Sequence, residues 1–336
     1  MSKKPFVMGM DIGYSNLKLR FGYAGEDSEA LIRPVGAAPE KYLPMQIAGG
    51  ISSIDGGVFV TINDESWVAA VEPDQLQGWD RELHPDYPSS NQYYALFKAA
   101  LTYSGVDVVD VLVTGLPVDQ YKDKSKQDAL VNKLTGVHQI TNKKSVEVKR
   151  VIVVAQPSGA YMNLIHEKQS DEDLMDVIMD GRTIVIDSGF FSSDWVILEQ
   201  GAIRYNSSGT SLKAMSRVLE ETSQGIARDY GYLVPVEKIE RAIRQNKSHV
   251  VVTGKKVALE EYFKAAAYKV STEALIPLQT SMRDEDVYTD VLLLAGGGGS
   301  AYKKAAKNIF PDALVMSTSE SALDNANGFY FTGINI

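Results

Sequence analysis

The strongest constraint on this chain is a short plan that it uses twice. Phe6-Val-Met-Gly-Met-Asp11 is an apolar run ending in a carboxylate, followed by the turn Ile12-Gly13-Tyr14-Ser15-Asn16 and the alternating segment Leu17-Lys18-Leu19-Arg20-Phe21. Alternation on both sides of a Gly/Ser/Asn cluster predicts a β-hairpin. Gly13 lets the backbone approach a ligand, and successive turn N–H groups can form a nest for an anion. Lys18 adds positive charge for phosphate, and Asp11 can hold a hydrated magnesium ion. The plan returns about half the chain later. Thr183-Ile-Val-Ile-Asp187-Ser-Gly189 is followed by Phe190, Phe191, Ser192 and Ser193 and a second apolar strand to Leu198. A third apolar strand, Val291–Ala295, runs into Gly296-Gly297-Gly298-Gly299-Ser300 and a helical pattern to Asn308. Two similar halves, each with a phosphate-facing hairpin, suggest a nucleotide held between two domains.

Bulk properties narrow the classes. A chain of 336 residues is long enough for two domains of ordinary size. The formal net charge of −9 argues against direct nucleic-acid or acidic-membrane binding. There is no cysteine, which excludes disulfides and thiolate metal sites and fits a cytoplasmic protein. The apolar run after Pro5 is too short for a signal peptide, and no run is long enough to span a bilayer. His84, His138, His166 and His249 show no metal-ligand spacing.

Along the chain, Glu29–Arg33 reads as a strand, 34–57 as a loop-rich edge, and 57–62 with 65–69 as a hairpin turning at Asn63 and Asp64. Residues 73–90 read as a surface loop, 91–104 as a helix, 108–114 as a buried strand and 119–134 as a solvated helix. Val146–Val154 reads as a strand and ends in Ala155-Gln156-Pro157-Ser158-Gly159, which opens a helix through Ile165. The acidic stretch Ser170–Asp180 separates the halves. In the second half, Asn206–Ser211 reads as the cap-rich start of a helix from Leu212 to Tyr230, with further helices at 236–245 and 258–280.

The ordered motifs Asp11-Ile-Gly13, Gln156-Pro157, Asp187-Ser-Gly189, Ala295-Gly-Gly-Gly-Gly299 and Asn327-Gly328 resemble those of the actin/sugar-kinase/chaperone ATPase superfamily. Val111–Tyr121, Tyr93–Phe97, Leu134–His138 and Asp324–Tyr330 resemble, more narrowly, the bacterial ParM/StbA and Alp actin-like proteins, which build filaments that move or segregate DNA. The resemblance implies an α/β fold of two actin-like (ribonuclease H-like) domains, with mixed five-stranded sheets flanking a nucleotide cleft. Domain I would cover 1–165, with 323–336 returning to it, and domain II 166–322. It also implies ATP and Mg²⁺ as cofactors, the chain itself as polymer partner and a DNA-binding adaptor protein as a further partner.

Roles follow from the same resemblance. Asp11 and Asp187 would orient Mg²⁺ through water. Gly13, Tyr14, Ser15, Asn16 and Lys18 would hold the β- and γ-phosphates, with Gly189 and Ser192 on the other domain. Gly209, Thr210 and Ser211 would line base and ribose, and Gly296, Gly297, Gly298 and Gly299 would accept the adenosine. Gln156 stands where the superfamily positions the attacking water. ParM-type proteins are expected to carry a glutamate there, and actin a glutamine. A glutamine orients water without acting as a base, which implies slow hydrolysis that serves as a timer. Phe190 and Phe191 replace the Gly-Thr of the usual second loop, so the phosphate-facing hydroxyl can be that of Ser192 or of Ser193.

Other readings compete. Gly296–Ala301 formally fits the dinucleotide pattern, but too few residues follow Glu320 for the remaining βαβ units. No Gly-Lys-Ser/Thr ends the run, so it is not a Walker loop. A small-molecule kinase of the same superfamily would need a base such as Asp194 or Asp110. A scaffold that binds ATP without polymerising is the third class.

Overall fold

Period-two burial in the first hairpin sets up the first half of the protein. In the computed structural model, which describes residues 4–44, 56–78, 82–282 and 288–336, Phe6–Ile12 is buried along its whole length and Asn16–Tyr23 alternates. The chain forms two units, Met1–Ser170 with Ala322–Ile336, and Asp171–Ser321. In the first, the main sheet runs in the order Val151–Ala155, Val111–Leu116, Phe6–Ile12, Asn16–Tyr23, Glu29–Pro34. The first three strands are parallel, and the last two run antiparallel to their neighbours.

Met8, Met10, Leu17 and Leu19 pack on one face of this sheet with Leu96 and Phe97 of the helix Asn91–Tyr103. Val7, Gly9 and Asp11 point to the other face, under the helix Asp324–Ile334. Val7 meets Tyr330 and Phe331 there. An added Cβ at Gly9 would overlap the Ala326 carbonyl and the Tyr330 N–H, which is why glycine stands under that helix.

Some local readings change in the fold. The strand expected over 108–114 divides into Val108–Val109 and Val111–Leu116, and the one expected over 146–154 into Lys144–Val148 and Val151–Ala155. The early pieces pair with each other and with Gly136–Thr141 in a separate sheet, and the late pieces join the main one. Asp110 marks the step: it accepts from the Phe6 N–H at 2.8 Å and pairs with Lys149 at 2.8 Å. Within the stretch read as a loop, Gly36–Pro39 pairs with Glu65–Val71; residues 45–55, and 79–81 of the second expected loop, lie outside the described residues. The helix expected over 119–134 breaks at Asp123, which accepts from the Ser125 N–H at 2.9 Å and caps a new helix, Lys124–Leu134.

The second unit holds a mixed sheet in the order Ala202–Ile203, Ser193–Glu199, Arg182–Ser188, Val291–Ala295, Leu314–Met316, with Gly209–Ser211 also pairing with Ser193–Glu199. Ile184, Ile186, Trp195, Ile197, Leu292, Leu294 and Tyr302 form its core. A smaller lobe combines the helix Val236–Arg244 with an unanticipated hairpin, His249–Val252 and Lys255–Ala258, around Ile226, Val234, Ile239, Val250 and Val257. The expected helix over 258–280 is two helices, Glu260–Ala274 and Ile276–Met282, because Pro277 cannot donate the N–H that would continue the first.

The Ser/Thr run at 206–211 does not cap a helix. Ser207 gives its carbonyl to Trp195 Nε1 at 2.9 Å, and the Ser208 hydroxyl accepts from the Ile197 N–H at 3.0 Å, so both serve the sheet edge. The helix begins at Met215, and the Met215 and Ser216 N–H groups donate to the carbonyls of Gly189 and Phe190 at 3.3 and 2.8 Å. No helix among the described residues is long and apolar enough to cross a membrane.

Candidate functional site

The two hairpin turns are built alike. Gly13 N–H donates to the Asn16 carbonyl at 3.0 Å, and Gly189 N–H to the Ser192 carbonyl at 2.9 Å. Each turn has four residues between paired strand ends, Ile12 with Leu17 and Ser188 with Ser193. Each places an aspartate one position before its strand end, 3% exposed at Asp11 and 7% at Asp187.

The partner across the strand pair differs. Asp11 faces Lys18, whose Nζ lies 2.9 Å from Asp11 Oδ2. The other oxygen, Oδ1, accepts from Gln156 Nε2 at 3.3 Å. Gln156 opens the helix Gln156–Lys168, with Pro157 in its first turn where a missing N–H costs nothing. The positive end of that helix dipole therefore lies beside the carboxylate. Gly115 makes the approach possible, since an added Cβ there would stand 2.7 Å from Gln156 Cγ and 2.6 Å from the Phe329 ring. Asp11, Lys18 and Gln156 thus meet at the end of the first hairpin. Burial pushes the Tyr93 phenol well above its ordinary range; a Thr114 hydrogen bond opposes the rise and the charge of Asp11 adds to it. Tyr93 is a neighbour of this cluster that the sequence alone did not assign to it.

Tyr14 is committed elsewhere within its own unit. Its hydroxyl donates to the His84 carbonyl at 2.8 Å and its ring stacks on Tyr87 at 4.8 Å. Ser15 and Asn16 bond to each other at 3.4 Å at the partly exposed tip of the turn.

In the second hairpin Asp187 faces Asp194, so two carboxylates sit side by side. Asp194 is 2% exposed and accepts from the Ser192 hydroxyl at Oδ2 and the Thr210 hydroxyl at Oδ1, both at 2.6 Å. The hydroxyls expected to face phosphate and ribose therefore bond to a buried carboxylate. The Ser193 side chain is buried and interacts with the Tyr302 phenol. Phe190 packs on the small lobe, which accounts for an aromatic in place of the usual small residue. Gly209 is required by Trp195, whose ring carbon Cζ2 an added Cβ would approach to 2.9 Å. Ser211 accepts from the Lys213 N–H at 3.3 Å.

The glycine run folds over the same strand end. Gly296 has a left-handed backbone (φ 75°), and an added Cβ would overlap Asp187 Oδ1 and the Ser188 carbonyl. Gly298 donates its N–H to that carbonyl at 3.0 Å, and a Cβ there would lie 2.8 Å from it. Gly299 begins the helix Gly299–Ile309. Gly297 is exposed, and a Cβ added to it would meet nothing within 4 Å. Asp187, Gly189, Ser192, Thr210 and Gly296–Gly299 therefore gather at one end of the strand Arg182–Ser188. The Ser188 hydroxyl in their midst is buried and finds no hydrogen-bond partner among the described residues.

Comparisons with known proteins identify the fold that carries these turns. Residues 9–159 match the family model of the actin-like proteins N-terminal domain, and residues 185–308 that of the archaeal actin homologue MreB-like C-terminal domain. No curated protein matches the sequence. Among solved structures, the archaeal actin homologue Ta0583 superposes with a TM-score of 0.75 at 18% identity, covering 98% of this chain and 99% of that one. The 15-stranded ParM filament from Clostridium botulinum gives 0.73 at 17% identity, covering 99% and 100%. The actin-like protein Alp7A gives 0.73 at 16%, covering 98% and 96%. With an actin-like N-terminal domain, an MreB-like C-terminal domain and this fold along nearly its whole length, the chain belongs to the actin-like superfamily.

Proposed function

We propose that this protein binds ATP with Mg²⁺, hydrolyses it slowly and assembles into filaments that segregate or position plasmid or other DNA through an adaptor protein. The observation that carries the reading is the repeated turn, one per unit, each pairing a closed glycine turn with a buried aspartate at a strand end. Such turns offer backbone N–H groups to phosphate oxygens. Their residues suit the group they would hold. Gly297 faces open space, since a Cβ added to it would meet nothing within 4 Å, and the buried Ser188 hydroxyl lacks a partner among the described residues. Asp11 and Asp187 would hold the magnesium ion through water, and the bound ion would neutralise charge on the phosphate chain.

The chain's own contribution to hydrolysis centres on Gln156. Its Nε2 donates to Asp11, which fixes the amide plane and leaves Oε1 to accept a hydrogen bond from water. A neutral amide positions that water without taking its proton, so turnover is slow and the nucleotide state acts as a clock. A kinase reading has less support. Asp194 is tied by two hydroxyls and Asp110 by a backbone N–H and Lys149, so neither carboxylate is placed to accept a substrate proton.

The actin homologue Ta0583 has been solved with ADP, and the Clostridium botulinum ParM as a filament; both precedents support the reading. Sedimentation with ATP, with ADP and without nucleotide, together with phosphate release, tests it. Wild type should pellet above a critical concentration with Mg-ATP. Asp187→Ala should remain folded by far-UV circular dichroism and release no phosphate. Absence of assembly under every condition would remove the filament from the reading, and wild-type phosphate release by Asp187→Ala would remove the assigned site.

A further inference from the structure

The second unit carries two exposed apolar spots with opposite charge around them. The first lies on the acidic helix Glu172–Asp180, which buries Ile178 and leaves Val177 43% exposed. At helical spacing, Asp173, Asp176 and Asp180 fall on the same stripe as Val177. This arrangement works against the helix. Neighbouring aspartates at i, i+3 and i, i+4 repel, and Asp180 in the last turn opposes the dipole, with no basic residue there to offset it. Only the start of the helix is helped, by Asp171 accepting from the Leu174 N–H at 3.1 Å.

The second spot is Val251, 44% exposed on the hairpin of the small lobe. Lys256 stands directly opposite it in register, and Lys238 Nζ reaches its carbonyl at 2.6 Å. Tyr232 and Leu233, at the edge of the same lobe, are exposed as well. In an acidic protein, this lobe carries Lys238, Arg241, Arg244, Lys247, Lys255 and Lys256 against Glu237 and Glu240.

The two spots lie at opposite ends of the unit. The acidic helix leads directly into the start of the strand Arg182–Ser188, and Met179 at its end lies near Gly201. The basic lobe packs on Phe190, just beyond the other end of that strand. A seven-residue strand spans roughly 23 Å. A valine framed by aspartates at one end and a valine framed by lysines at the other cannot satisfy each other within one chain. They can do so between successive copies, and such a head-to-tail contact does not close on itself.

Resting on the assembly proposed above, we infer that the helix Glu172–Asp180 of one copy docks on the lobe face around Val251, Lys238 and Lys256 of the next. The contact is the longitudinal joint of the polymer. Its apolar centre supplies attraction, and the charges set polarity and register.

Charge reversal tests this directly. One variant carries Asp173→Lys and Asp176→Lys, the other Lys238→Glu and Lys256→Glu. Each alone sets like charges against each other at every joint, so its critical concentration in Mg-ATP should rise by about tenfold or more. In an equimolar mixture the two variants can alternate, which restores opposite charges at every joint, so the mixture should sediment again, and so should one chain carrying all four changes. Far-UV circular dichroism and ATP binding check that each variant is folded. Val177→Ser, at an exposed position, provides a milder variant and should also raise the critical concentration. If wild type assembles and both reversal variants assemble at the same concentration, the contact is wrong and the filament stands. If each variant fails and the mixture fails too, the two surfaces do not pair. If wild type does not assemble with any nucleotide, the assembly reading falls and takes this contact with it.

Discussion

The glycine run yields a prediction in which neighbouring residues of one type behave oppositely. Gly296 has a left-handed backbone, and its Cβ position is filled by the Asp187 carboxylate and the Ser188 carbonyl. An alanine there incurs about 1–2 kcal/mol for the left-handed conformation and about 1–3 kcal/mol for the overlap. Gly296→Ala should therefore destabilise the unit by about 3 kcal/mol or more. Gly298→Ala meets the same carbonyl from a normal backbone, with its Cβ 2.8 Å away, and should lose less. That loss is about 1–3 kcal/mol. Gly297→Ala meets nothing within 4 Å and needs no unusual φ. It should be neutral or gain a few tenths of a kcal/mol, on the order of the usual glycine-to-alanine effect. If the open space over Gly297 receives the nucleotide, Gly297→Val should weaken ATP binding by about tenfold or more, because a side chain takes the place of the ligand. Urea unfolding without nucleotide measures the first set of effects, and titration with ATP the second. A Gly297 variant as unstable as Gly296→Ala would refute the packing account. Unchanged ATP affinity in Gly297→Val would refute the binding account.

Further outcomes follow from the first unit. Gln156→Ala should slow phosphate release by about tenfold or more with ATP binding nearly intact, and light scattering should rise as in wild type and decay later. Lys18→Met strands the buried Asp11 carboxylate; Lys18 keeps 15% of its side chain exposed, so the loss falls at the low end for a broken buried pair. That loss is about 3 kcal/mol in urea unfolding, and adding Asp11→Asn to the same chain should recover most of it. Burial holds the His138 imidazole below its ordinary 6.5, while the Leu134 carbonyl at its Nε2 opposes that and the charge of Lys98 adds to it. The unfolded chain therefore takes up this proton at higher pH than the folded one. This contribution to stability is complete above pH 6.5 and declines as pH falls from there toward the folded value. His138→Gln should flatten that part of the unfolding midpoint's pH profile; a profile unchanged from wild type would show that His138 does not carry it.

Much of this protein is written locally. An apolar run ending in Asp11, the turn from Gly13 and the alternation from Leu17 specify a hairpin because its pairing is short-range and one face must be buried. The same logic makes the second hairpin and the strand before the glycine run legible. The breaks at Asp110 and Lys149 were not legible, because a strand that changes sheets keeps its alternation and shifts only its partners. Nor was the start of the helix at Met215, whose first N–H groups are satisfied by hairpin carbonyls about 26 residues upstream rather than by the Ser/Thr run beside them. In the candidate site, the sequence determined which residue types stand at each turn. Tertiary structure decided what they face: Lys18 and Gln156 on Asp11, Ser192 and Thr210 on Asp194, and Gly296 and Gly298 against Ser188 while Gly297 stays open. A side chain's chemistry is fixed by its identity, but its partner is fixed by strand register and by which carbonyl or carboxylate the fold places within hydrogen-bond reach of it.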